Sequence, residues 1–116
     1  MSTLATEEPL IPQPPATIPA LRQAVAQILP ASLPAFTGQL DECAEVARQG
    51  SGIAPLQRFC RQWSLEIQIH RQPHVSARLR ELEDAASRGE DSRAAAAETG
   101  RILDDAFAAL GWNLRP

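Results

Sequence analysis

An all-α fold, a four- or five-helix antiparallel bundle behind a disordered proline-rich N-terminal arm, is what this chain of 116 residues predicts, on three observations. Alanine occurs twenty times, tyrosine is absent and aromatics make up 4%, a composition of helix formers rather than of strand formers. Apolar residues recur in steps of three and four through most of the chain. Prolines just inside the starts of these periodic segments, and glycines just past their ends, punctuate them as helix boundaries. At this length about two-thirds of the unfolded surface can be buried, enough for one core and little more.

Residues 1 to 16 hold Pro9, Pro12, Pro14 and Pro15 beside Glu7 and Glu8, so they cannot propagate a helix and form the arm. Leu10 and Ile11 are its bulky apolar pair, placed either to anchor the arm on the core or to engage a partner. The body spans residues 17 to 111. A first helix starts at the N-cap Thr17 with Pro19 in its first turn and runs to Leu29 on the spacing of Ile18, Leu21, Val25 and Ile28. Pro30 ends it. A second takes Ser32 as cap and Pro34 in its first turn, and continues through Leu33, Phe36, Leu40, Cys43 and Ala47 to Gly50. A third follows Gly52, with Pro55 early and Ile53, Leu56, Cys60, Trp63, Ile67 and His70 on one face. Trp63 to Ile69 also alternates as a strand would, but the longer helical period and the lack of a second strand favour helix.

If the second and third helices form an antiparallel hairpin turning near Ser51, residues equidistant from the turn lie level: Ala47 with Leu56, Cys43 with Cys60, Leu40 with Trp63, and Phe36 with Ile67. Each pair sets seam against seam, so local pattern and global arrangement agree. Pro73 disfavours helical geometry at Gln72 and opens a fourth helix to Ser87, with Val75, Leu79, Leu82 and Ala86 inward and Arg80, Asp84 and Arg88 spaced for ion pairs outside. Gly89 stops it. A fifth, capped by Asp91 or Ser92, carries Ile102, Leu103, Ala106, Phe107 and Leu110 inward as far as Gly111, with Gly100 weakening its middle. Residues 112 to 116 form a tail whose Trp112 and Leu114 either fold back over the bundle end or dock a partner.

The net charge of -3 carries neither the basic footprint of a polyanion binder nor a strong acidic field. All eleven basic residues are arginine, which with the alanine excess fits a high-GC genome. The acidic N-terminus lacks the charge and apolar core of a signal peptide, and no stretch approaches the roughly 20 apolar residues of a membrane span, so a cytoplasmic location is expected.

Chemistry-bearing constellations are few. His70 and His74 stand four apart, with Glu66 four before them, the spacing of metal ligands on one helix. Pro73 works against it by interrupting that helix. Cys60 joins them poorly, because ten helical residues span about 15 Å and zinc ligands lie about 2 Å from the ion. Cys43 and Cys60, level in the hairpin, suit packing better than redox work, since no C-x-x-C motif is present. Ser32, Ser51 and Ser92 are accounted for as helix caps rather than nucleophiles. Gly50 and Gly52 form a G-x-G, but Pro55 stands where a dinucleotide fingerprint needs glycine, so no cofactor is expected. A helix-turn-helix arrangement would put Arg78 and Arg80 on DNA, against the acidic Glu81, Glu83 and Asp84 that follow at once.

The run Ala54-Pro55-Leu56-Gln57-Arg58-Phe59, then Trp63, then His70-Arg71-Gln72-Pro73 and Ala77-Arg78-Leu79-Arg80-Glu81-Leu82-Glu83, resembles a family of short uncharacterised helical proteins from actinobacteria, a domain of unknown function. The likeness covers residues 17 to 110 and extends to Leu21-Arg22-Gln23-Ala24 and Ile102-Leu103-Asp104. It implies a helical fold and a bacterial source, and carries no catalytic residue. Some such short proteins look like partners of toxin-type genes. The functional expectation is a non-enzymatic protein-interaction module, antitoxin-like or regulatory, using Leu10, Ile11, Trp112 and Leu114 on a protein partner or a second copy. The alternatives are a metal-binding enzyme or sensor built on Glu66, His70 and His74, and a DNA binder.

Overall fold

The computed structural model describes residues 8–90 and 92–112, and among them it is all-helical, with no strand. Five α-helices follow in order: α1 (Ile18–Ile28), α2 (Leu33–Val46), α3 (Ala54–His70), α4 (Pro73–Ser87) and α5 (Arg93–Ala109). Residues 8–16 of the arm hold no helix, as four prolines require, and residues 1–7 lie outside the described residues. The described residues divide into two compact units, one of residues 11–67 and one of residues 8–10 with those from Gln68 onward.

Local chemistry sets most boundaries. Thr17 has extended backbone geometry and its hydroxyl accepts from the Ala20 amide, with Pro19 in the first turn of α1. Ser92 caps α5 the same way, accepting from the Ala95 amide at 3.1 Å. Ser32 does not cap α2. A 3₁₀ turn over Pro30–Ser32 precedes that helix and leaves Ser32 already in helical geometry, from which a side chain does not reach the amides ahead of it. The α-helical part of α2 ends at Val46, short of the expected stop, and one wide turn over Ala47–Ser51 carries the chain to Gly50. Gly52 then adopts φ 78° and ψ -164°, a conformation essentially confined to glycine, so the G-x-G builds a helix-hairpin turn. Pro73 holds Gln72 extended at φ -106°, ψ 100°, which separates α3 from α4 as expected.

In the Ile11–Ile67 unit, Leu21, Ala24 and Val25 of α1, Phe36 of α2, and Phe59, Trp63 and Ile67 of α3 form one buried cluster. α2 and α3 run antiparallel. Phe36 sits edge-on to Phe59 and Trp63, at ring-centroid distances of 4.9 and 5.2 Å, and Gln39 Oε1 accepts from Trp63 Nε1 at 3.0 Å. The Gln39–Trp63 bond falls within one position of the expected Leu40–Trp63 level, and Phe36 and Ile67 share the buried cluster. The inward face of α3 keeps Trp63 and Ile67 of the expected seam and is widened by Phe59. Phe59 is buried, whereas Ile53 precedes the helix and is 65% exposed.

In the second unit, α4 and α5 pair antiparallel beside the last turn of α3, with Ile69, Leu79, Leu82 and Ala106 buried. Both helices end in the same way. The Gly89 amide donates to the Ala86 carbonyl and the Glu90 amide to Ala85; the Gly111 amide donates to Ala108 and the Trp112 amide to Phe107 at 2.9 Å. Such a cap needs a left-handed residue, and Gly111 supplies φ 75°. The anticipated pairs Arg80–Asp84 and Asp84–Arg88 do not form among the described residues. Arg88 Nε donates to Glu90 Oε2 at 2.8 Å instead, since the cap brings Glu90 back under the helix end.

Candidate functional site

The four residues expected to meet a partner have separate fates. Ile11 is packed against the buried cluster of its unit, and two residues on, Gln13 Nε2 donates to the Ser64 carbonyl at 3.1 Å. Arm residues 11–16 thus form a strap on their own unit, held by apolar packing at Ile11 and a hydrogen bond from Gln13. The strap is imperfectly satisfied, because Gln13 Oε1 and Ser64 Oγ are buried without hydrogen-bond partners among the described residues. Leu10 is 57% exposed, with its amide donating to the Arg71 carbonyl at 2.7 Å. Trp112 lies over Phe107 with ring centroids 5.6 Å apart, the apolar contact that accompanies this type of helix cap. Leu114 lies outside the described residues.

The apolar surface best formed for contact is one that sequence periodicity assigned to the core. A shallow trough of about 520 Å³ is lined by Ala16, Ile53, Leu56, Gln57, Cys60 and Arg61, all within the Ile11–Ile67 unit. Gly52 and the turn before α3 hold Ile53 out at its edge, and Leu56 and Cys60 form its half-buried base. Cys43 and Cys60 are free thiols, and burial, with Cys43 nearby, pushes the Cys60 thiol above its usual range. Packing accounts for both, since each lies against the buried cluster.

The remaining constellations are drawn into structural contacts. His70 closes α3 and His74 lies in the first turn of α4, so they do not share a helix. His70 Nδ1 and Ser76 Oγ are hydrogen-bonded at 2.7 Å, in the direction the ring tautomer sets, which ties the end of α3 to the start of α4. Among the described residues no three His, Cys, Asp or Glu side chains gather as metal ligands do. Arg78 is held from two sides, with Nη2 donating to Glu98 Oε1 at 2.7 Å, Nε to Glu98 Oε2, and Nη1 to Glu81 Oε1 at 2.8 Å. This fork keeps the Glu98 carboxyl below the usual carboxylate range. Among the described residues no helix is long and apolar enough to cross a membrane.

Sequence reasoning missed Phe59, Ser76 and Glu98. Phe59 stands four before Trp63, so its place on the same face was available from helical spacing. Ser76 and Glu98 were not, because their partners lie across a turn or on another helix. The fold and surface thus define a small all-helical protein with a strapped arm and an open apolar trough. No protein-family model matches the chain, and no curated protein or solved structure matches it either.

Proposed function

We propose that this chain is a non-enzymatic protein-interaction module, antitoxin-like or regulatory, working in the bacterial cytoplasm. The observation that carries it is the trough around Ile53. A β-branched side chain left 65% exposed beside Leu56 and Cys60 is a surface suited to an apolar stripe, and an amphipathic helix of a partner protein presents one at helical spacing. Leu10 is a second exposed apolar contact. Ile11 and Gln13 serve the unit's own packing, which makes deletion of the arm a poor probe and point substitution at exposed positions a good one.

The test is native mass spectrometry of the tagged protein recovered gently from its host, as wild type, Ile53→Asp and Leu10→Asp, with far-UV circular dichroism to check folding. The wild type is expected as a complex with a second protein that Ile53→Asp loses while keeping its helical spectrum. A wild type recovered alone, or a complex that Ile53→Asp leaves intact, would overturn the proposal. A homodimer abolished by Ile53→Asp would identify the occupant of the trough as a second copy.

A further inference from the structure

Leu56 and Cys60, the base of the Ile53 trough, stand four apart on α3, and Ser64 is the next residue on the same ridge. There the arm crosses the ridge. Gln13 Nε2 donates to the Ser64 carbonyl at 3.1 Å, Ile11 packs against the buried cluster, and Ala16 forms part of the trough's wall. The strap thus occupies the continuation of the groove. From Ile53 to Arg61 the open part measures about 12 Å, at about 1.5 Å per residue. A partner helix of ordinary length, about 11 residues and about 17 Å, overruns it by about one turn and meets the strap.

The closed strap is held against a cost. Ser64 is 2% exposed, and neither its Oγ nor Gln13 Oε1 is open to water or has a hydrogen-bond partner among the described residues. Turning the Gln13 amide over would set its oxygen against the Ser64 carbonyl, so the mismatch belongs to the closed arrangement itself. Opening hydrates both oxygens and returns their desolvation free energy. Pro12, Pro14 and Pro15 have no N–H with which to add backbone hydrogen bonds. Leu10, just before the strap, is 57% exposed, and its amide exchanges the Arg71 carbonyl for water at little cost. Apolar packing at Ile11 and the Gln13 bond oppose opening. We propose that residues 11–16 are an autoinhibitory strap, which opens reversibly and yields its place on Ser64 to the partner helix that seats at Ile53. This regulation rests on the trough reading given above.

NMR relaxation dispersion on isotope-labelled full-length protein reads the opening without a partner. The wild type is expected to show exchange at the Gln13 side-chain amide, Ala16 and Ser64, with a minor state of about 1%. Ser64→Ala, which leaves no hydroxyl to bury, should lower that population about 10-fold. Ile11→Ser, which removes apolar packing, should raise it by about 10-fold. Native mass spectrometry of the same variants recovered from the host reads the competition: Ile11→Ser should raise the fraction in complex and Ser64→Ala should lower it. Absence of exchange at these residues, or exchange that Ser64→Ala leaves unchanged, would overturn the proposal. A complex lost in Ile53→Asp but recovered equally from both strap variants would overturn the strap's competition alone, whereas a wild type recovered alone would overturn the trough reading and the competition with it.

Discussion

Phe36→Ala is expected to remove much of the stability of the Ile11–Ile67 unit. Phe36 is fully buried, its ring edge-on to Phe59 and Trp63, and the Arg22 guanidinium carbon lies 5.9 Å from its centroid. Truncating a buried phenylalanine costs about 3–5 kcal/mol, from lost transfer energy together with the cavity left behind. The site is at the upper end of that range, because two aromatic partners lose their contacts at once and neither α2 nor α3 closes the gap without moving the other ring. Against a total of about 5–15 kcal/mol for a domain, a loss of about 5 is a third or more. With a urea slope of about 1.5 kcal/mol/M the midpoint falls by about 3 M. The assay is Trp63 fluorescence during urea unfolding, in a Trp112→Phe background that leaves one reporter. Phe36→Leu, which fills much of the space but loses both ring contacts, should cost less than Phe36→Ala. Ile53→Ala, at an exposed site outside any helix, should stay within about 0.5. A Phe36→Ala midpoint no lower than that of Ile53→Ala would refute the assignment of Phe36 to the centre of this core.

Ser92→Ala should cost about 1 kcal/mol by uncovering the Ala95 amide. Ser32→Ala should stay within about 0.5, and equal losses in denaturant midpoint would contradict the cap assignments. The Glu98 carboxyl is held below its ordinary pKa of 4.5, first by the hydrogen bonds from Arg78, so the pair contributes in full above that value and its contribution is lost as pH falls through the depressed one. Thermal midpoints measured against pH should therefore drop less steeply on acidification in Glu98→Gln than in wild type, and identical acid limbs would show that the pair does not couple to folding.

Much of the helical layout was legible residue by residue. Thr17 with Pro19, Gln72 before Pro73, Ser92, and the glycines at 89 and 111 each act on the backbone within a few positions, so they mark the same boundaries in sequence and in structure. Ser32 shows the limit of that logic. It has the chemistry of a cap, but Pro30 opened a tight turn two residues earlier and used the geometry a cap needs. The candidate sites were less legible. Trp112 could fold back or dock a partner and rests on Phe107; Ile53 looked like core and stands in the open.

Alanine-rich composition, helical periodicity and paired prolines and glycines by themselves determined that this is an all-helical chain whose second and third helices form an antiparallel hairpin, because these signals act through bonds a few residues apart. Tertiary structure alone decided which way each helix turned. Phe59 joins Trp63 and Ile67 in the core, while Ile53, ahead of α3, stands out beside a trough on the surface. The docking of α5 on α4 pairs Arg78 with Glu98, and the meeting of three helix ends gathers Gln68, Gln72, His74 and Asp105 around one cavity. Those outcomes depend on ring volumes and side-chain lengths summed over contacts distant in sequence, and no local pattern encodes that sum.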